Sequence, residues 1–205
     1  MPKQVDHDER RETIARALWR VVERRGVAAV SVREVAREAG ISHGAVQHYF
    51  ATRDAMLTFA MDFASERSSR RVSTAIGDLG DAPHPRDVLR VMITEMLPLH
   101  ADSRATSRMS TAYVLEALHD ENVRARARDG LIEGRSIVEG IIRQAIADGL
   151  VDARRDPATE TDLLLALTGL TPLIELGVIT PQAALTAVDQ HLDRLFTGGP
   201  QAASS

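Results

Sequence analysis

The stretch AREAGISHGAVQHYF, from Ala36 to Phe50, decides how the rest of the chain is read. It gathers two histidines, two glycines, a glutamine and two aromatics, in a chain that is only 3% aromatic. Three kinds of chemistry use such a cluster: a metal site, a catalytic site or a recognition surface. Two histidines on one helix grip a single ion when they sit four apart and share a face. His43 and His48 are five apart, about 140° around a helix, and no third ligand stands near them in sequence. Catalysis has no support either, since the stretch lacks a nucleophile elbow, a phosphate-cradling glycine loop and paired carboxylates. The recognition reading fits the spacing.

Upstream lies SVREVAREAG, where Ser31 followed three residues later by Glu34 reads as a capping box and Gly40 as the helix stop. Ser42 then caps a third short helix, His43 to Phe50. A short helix, a tight glycine turn and a second short helix form a helix-turn-helix pattern. Ala36 is small where the two helices must cross, and Val46 points back into the core with Ile41. His43, Gly44, Gln47 and His48 are left facing outward. The N-terminal residues of a recognition helix enter the major groove, where Gln bonds adenine bidentately and His donates or accepts at base edges. Gly44 lets backbone and DNA come close. A plain solvated helix face is the alternative.

Working outward, a first helix runs from about Glu9 to Arg25, with Ile14, Ala17, Leu18, Val21 and Val22 at helical spacing, Trp19 read as core and Gly26 as the stop. Thr52 caps a fourth helix running from Arg53 into the seventies. Asp78 to Pro85 breaks the chain, and helices follow that end near Pro98, Leu118 and Asp148. Asp156 with Pro157 opens a helix to about Leu176, and Thr180 with Pro181 opens the last, ending near Phe196. Ala, Leu, Glu and Arg dominate and two-residue alternation is missing, so the fold is expected to be all-α with about nine helices. Residues 1–53 are expected as a three-helix DNA-binding domain, 54–197 as a separate helical body and 198–205 as a disordered tail.

The chain of 205 residues carries a net charge of −4, which argues against a uniformly basic nucleic-acid binder. Residues 1–53, however, hold 10 Lys or Arg against 7 Asp or Glu, a net +3, which leaves −7 on the remainder. An electropositive head on an acidic body implies two roles in two regions. The excess of Arg over Lys suits bidentate phosphate contact, although bias of the source genome accounts for it equally simply. The absence of cysteine excludes disulfides and thiolate metal sites, and no cofactor or metal is expected. The polar N-terminus lacks the apolar core of a signal peptide, and LLLALTGLTPLIELGVI is interrupted by Pro172, Glu175 and two glycines. The expectation is a soluble, cytoplasmic protein that does not enter a membrane.

The block from Arg11 to Asp62, RETIARALWRVVERRGVAAVSVREVAREAGISHGAVQHYFATRDAMLTFAMD, resembles the N-terminal domain of TetR-family transcriptional regulators. The resemblance rests on S-V-R-E-V-A, A-G-I-S-x-G, an aromatic pair closing on Phe50 and T-R-D-A-M-L opening the fourth helix. It implies a DNA-binding set of Ser31, Arg33, Ser42, His43, Gly44, Gln47, His48, Tyr49 and Arg53. Ser31, Arg33, Tyr49 and Arg53 would touch phosphates, together with the N-terminus of the fourth helix. The family commonly has Tyr where Gln47 stands, so Gln47 reads a base or reaches a phosphate. Lys3, Arg10 and Arg11 form either a charged DNA-seeking arm or a solvated tail.

Beyond Asp62 the resemblance extends only to length and helix pattern. It implies a homodimer on a palindromic double-stranded operator, a small-molecule effector and, most often, repression. For the dimer face, Leu163, Leu164, Leu167, Leu170, Leu173, Leu185, Val188, Leu192 and Leu195 stand at helical spacings in the last two helices. For the effector pocket, Phe59, Phe63, Met92, Met96, Met109, Tyr113 and Leu170 suit an adaptable apolar cavity, with Glu116, His100 or Glu175 as polar anchor. Ordinary core packing is the alternative for each. Gly130 and Gly134, one turn apart in a long helix, point to a close helix approach or a bend. A helical interaction protein whose head has lost DNA binding is the second functional hypothesis, resting on Gln47 alone. An enzyme has no supporting motif.

Overall fold

The structure is a computed structural model that describes residues 2–26 and 29–197, leaving aside the side chains of residues 2–8 and of residue 122. The expected tail and the side chain of Lys3 fall outside it. Among the described residues the chain is helical throughout and contains no strand. In order come α1 (Pro2–Arg25), α2 (Val32–Ala39), α3 (His43–Tyr49), α4 (Arg53–Gly77), α5 (Pro85–Met96), α6 (Ala101–Ala117), α7 (Glu121–Ala147), α8 (Pro157–Ala166), α9 (Thr171–Glu175) and α10 (Pro181–Phe196). None of them is long and apolar enough to cross a membrane.

Helix ends follow the capping chemistry written in the sequence. The hydroxyls of Ser31, Ser42, Thr52 and Thr180 and the Asp156 carboxylate each accept an N–H from the first turn of the helix that follows. Such a bond satisfies one of the four orphan donors at a helix start. At the far end of α2, Gly40 takes the left-handed conformation with φ +67. Its N–H bonds the Arg37 carbonyl, and the Ile41 N–H reaches back to Ala36 at 3.1 Å, closing a Schellman turn. The single helix expected from Pro157 to Leu176 is instead α8 and α9 joined by a 3-10 turn over Leu167–Leu170. Pro172 has no N–H, and its ring excludes the carbonyl four residues back, so a continuous helix cannot pass Thr168.

The chain divides into two compact units, Met1–Ser69 with Arg104–Ala127, and Arg70–Ser103 with Arg128–Ser205. The core of the first is Ile14, Leu18, Val21 and Val22 of α1, Val35 and Ala36 of α2, Val46 of α3, Phe50, Met56, Leu57 and Ala60 of α4, and Met109 of α6. Trp19, expected in that core, stays half-buried because it lies at the margin of the α1 stripe. The second unit is built on Leu89 and Ile93 of α5, Val138 and Ile142 of α7, Leu164 of α8, and Val188, Leu192 and Leu195 of α10. Arg90 grips Asp189 with two bonds, at 2.6 and 3.2 Å, and Arg86 reaches Asp193 at 2.8 Å, pinning α5 to α10.

Candidate nucleic-acid interface

Val46 is fully buried, which fixes the rotation of α3 about its own axis. His43, Gly44, Gln47 and His48 are consequently exposed on its outer face, as their spacing around Val46 requires. Ser31 and Ser42, the N-caps of α2 and α3, are exposed as well. Each hydroxyl oxygen accepts its helix's cap bond, from Glu34 N at 3.2 Å and from Ala45 N at 3.1 Å, and retains an O–H able to donate to a phosphate. Among the described residues, no group of three His, Cys, Asp or Glu side chains comes together in a way that suits a metal ion.

Charge on α2 is sorted within the chain. Glu34 lies between Arg25 and Arg37, and Glu38 accepts from Arg20 Nε at 2.7 Å with Arg24 nearby. The hydrogen bond from Arg37, with added attraction from Arg25, holds the Glu34 carboxyl below its ordinary pKa. Arg20 does the same to Glu38. The acids of α2 are therefore neutralised by their own neighbours. Arg33 is exposed and makes no ion pair among the described residues, so its guanidinium is available to a phosphate.

Three other candidates are more constrained. Tyr49 is half-buried against the head core, with its ring edge-on to His48 at 5.4 Å between centroids. Arg53 is half-buried, and its Nε donates to the Val30 carbonyl at 3.2 Å while Nη1 donates to Glu116 at 3.3 Å. Arg11, read as part of an arm, lies on α1 with its guanidinium 4.7 Å from the centre of the Phe59 ring. This cation–π contact and the helix that carries it remove Arg11 from a flexible tail.

The effector candidates separate into several places. Met109 is fully buried in the head core, where its flexible thioether fills space among aliphatic side chains. Tyr113 packs with Ala117 and Val123, and Glu116 is occupied by Arg53. Phe63 borders a cleft of about 410 Å³ with Phe59, Arg11, Glu12, Asp62 and Glu66. In the second unit, Met92 and Leu170 pack onto the core and Met96 is 44% exposed. Sequence reasoning missed a cleft of about 250 Å³ in that unit, walled by Val72, Val91, Leu99 and Leu185. Its polar end holds Arg71, whose Nε donates to the buried Glu95 at 2.8 Å, and His100, whose Nε2 lies 3.6 Å from the same carboxylate. Arg71 and Glu95 are 24 positions apart on different helices, so no local pattern joins them. Of the extra anchors considered, only His100 lines this cleft.

The dimer candidates need correction. Val188, Leu192 and Leu195 are fully buried core residues of the second unit, because the apolar stripe of α10 faces its own chain. Leu185 walls the cleft, and Leu167 and Leu170 are partly buried on the core. Of the set, Leu163 and Leu173 are exposed, at 51% and 38%, and Leu176 and Val178, which were not in the set, are exposed as well. Gly130 and Gly134 do not mark a close approach within the chain, since nothing lies within 4 Å of a Cβ placed on either. Leu131, Ile132 and Ile137 around them are exposed as well.

Comparison with known proteins gives two family matches. A model described as bacterial regulatory proteins, tetR family, matches residues 14–58, and one for the C-terminal part of BetI-type transcriptional repressors matches residues 85–197. The transcriptional regulator PksA of Bacillus subtilis is 33% identical over 168 residues, covering 82% of this chain and 78% of its own. The regulator BetI of Stenotrophomonas maltophilia is 36% identical over 93 residues, covering 45% and 46%. A solved transcriptional regulator from Rhodococcus sp. Rha1 is similar with a TM-score of 0.76 at 27% identity, over 92% of this chain and 97% of its own.

Proposed function

The chain belongs to the TetR family of transcriptional regulators, which are not enzymes, and we propose that it is a ligand-responsive repressor binding a palindromic operator as a homodimer. Residues 1–53 act as the DNA-binding head and residues 54–197 as the ligand and dimer body. The observation that carries this reading is the outward face of α3. His43, Gly44, Gln47 and His48 stand exposed on α3. The cap residues Ser31 and Ser42 and Arg33, which makes no ion pair among the described residues, are exposed on the same pair of short helices and their caps. Such a face places base-reading groups at its centre and phosphate-binding groups at its rim. The alternative of a head that has lost DNA binding rests on Gln47 alone, and Gln47 is exposed where an amide can reach a base edge.

The cleft walled by Val72, Val91, Leu99 and Leu185 suits a small, largely apolar effector with one polar group directed at Arg71 and His100. The exposed Leu163, Leu173, Leu176 and Val178 supply apolar side chains for contact with the second copy. An effector acts only as far as it prefers the form that does not bind DNA. The test is DNase footprinting of the full chain on the DNA upstream of its own gene and its neighbours, at about physiological salt. A protected palindrome with half-sites about 34–36 Å apart, or a multiple of that, is expected. Uniform cleavage across all of these fragments would rule the repressor out.

A further inference from the structure

Arg53 opens α4 directly after the recognition helix, yet its guanidinium is shared out inside the chain. Nε donates to the carbonyl of Val30, the residue before the Ser31 cap, at 3.2 Å. Nη1 donates to Glu116 Oε1 at 3.3 Å, and the Asp54 carboxylate lies 3.9 Å away. Glu116 comes from the last turn of α6, 63 residues along the chain. The two side chains are 33% and 35% exposed, so the pair lies at the margin of the surface, within reach of an incoming polyanion. A carboxylate and a phosphate oxygen offer a guanidinium the same kind of acceptor, and Arg binds either along the edges of its planar fork.

We propose that Glu116 is an internal competitor for the Arg53 guanidinium and thereby sets the affinity of the head for DNA. In the free protein its carboxylate holds the Nη1 edge. On DNA, a backbone phosphate takes that edge while the bond to the Val30 carbonyl keeps the side chain in place. Glu116 is held where it can compete by two contacts further back on α6. Met109 is buried in the head core, and Arg108 donates from Nη1 to the Glu23 carbonyl of α1 at 3.1 Å. Any shift of this part of α6 relative to α1 changes how firmly Arg53 is withheld. The inference rests on the proposed DNA-binding reading.

The test uses the full chain and a labelled duplex from upstream of its own gene, titrated by fluorescence anisotropy from low to moderate salt. Glu116→Gln keeps shape and removes the charge. It should tighten binding about threefold per head, and so about tenfold for a dimer, in line with an exposed ion pair. The slope of log K against log salt should stay nearly the same, since Arg53 ends on the same phosphate in both proteins. In an Arg53→Gln background, the same Glu116→Gln change should then have no effect, since the competition has lost its object. If Arg53→Gln loses its helical signal, Arg53→Met, which keeps the aliphatic stem, takes its place. Unchanged or weaker binding by Glu116→Gln overturns the proposal. A gain that persists without Arg53 overturns it too, because Glu116 then acts by general repulsion. Wild-type protein that binds no duplex overturns the DNA-binding reading, and this inference with it.

Discussion

The two compact units each carry a surface of a distinct kind. In the first, α3 exposes His43, Gly44, Gln47 and His48, while the acids of α2 are neutralised by Arg20, Arg25 and Arg37. In the second, Leu163, Leu173, Leu176 and Val178 face outward, with Leu176 79% exposed. A polar face with its own acids neutralised is suited to a polyanion, whereas exposed apolar side chains gain from an apolar partner. One chain thus presents two surfaces that call for different partners. Testing each surface separately shows whether that contrast is real.

The largest effect should come from separating the core of the second unit from its exposed apolar side chains. Leu192 is fully buried, so Leu192→Ala should lower the free energy of unfolding by about 2–5 kcal/mol in urea titrations. If Leu192 were a dimer contact, the same change would alter oligomeric state and leave the fold nearly as stable. Leu176→Ser should do the reverse. It should weaken self-association by about 1–3 kcal/mol in sedimentation equilibrium, with the stability of the single chain changed by less than about 0.5 kcal/mol. Equal damage to both quantities would erase the distinction between core and exposed side chains.

The head was more legible in the sequence than the body, for physical reasons visible in particular residues. Short helices end at single residues whose chemistry is local: Ser31, Ser42, Thr52 and Gly40 perform the capping their types imply. Periodicity around Val46 likewise gives the outward face of α3. In the body, periodicity identifies an apolar stripe but not what it packs against. Val188, Leu192 and Leu195 were assigned to a partner and belong to the core, because α10 buries that stripe against α5, α7 and α8 of its own chain. The methionine and aromatic candidates scattered for the same reason. The cleft at Arg71, Glu95 and His100 depends on pairings distant in sequence that no spacing encodes.

Smaller effects sharpen the contrast from the head side. Gly40→Ala puts a side chain at φ +67, so it should cost about 1–2 kcal/mol of stability by thermal or urea unfolding. No loss would mean that the turn can relax without glycine. Arg33→Ala should weaken binding to all duplexes alike and reduce the salt slope by about 1 per head, as the proposed phosphate contact requires. A loss confined to one sequence would move Arg33 to the base-reading group.

The smallest effect belongs to the body. Burial, with help from Arg155 and Arg194 and against the pull of Glu160, lowers the pKa of His191 from its ordinary value. A base with a depressed folded value is protonated first in the unfolded chain. Its contribution to stability is therefore present above about pH 6.5 and fades as pH falls below that. His191→Gln should flatten the stability profile between about pH 7 and 5. An unchanged slope would assign the pH dependence to other groups.

The central claim, that the outward face of α3 reads sequence, is tested most directly by measuring Gln47→Ala on two duplexes at one salt concentration. One duplex carries the footprinted site and the other the same bases scrambled. If Gln47 reads a base, the substitution should cost about 1–3 kcal/mol on the site and leave the scrambled duplex unaffected, so that the ratio between them collapses. An equal loss on both duplexes would reduce Gln47 to a phosphate contact. If the wild-type protein itself does not distinguish the two duplexes, the claim is contradicted.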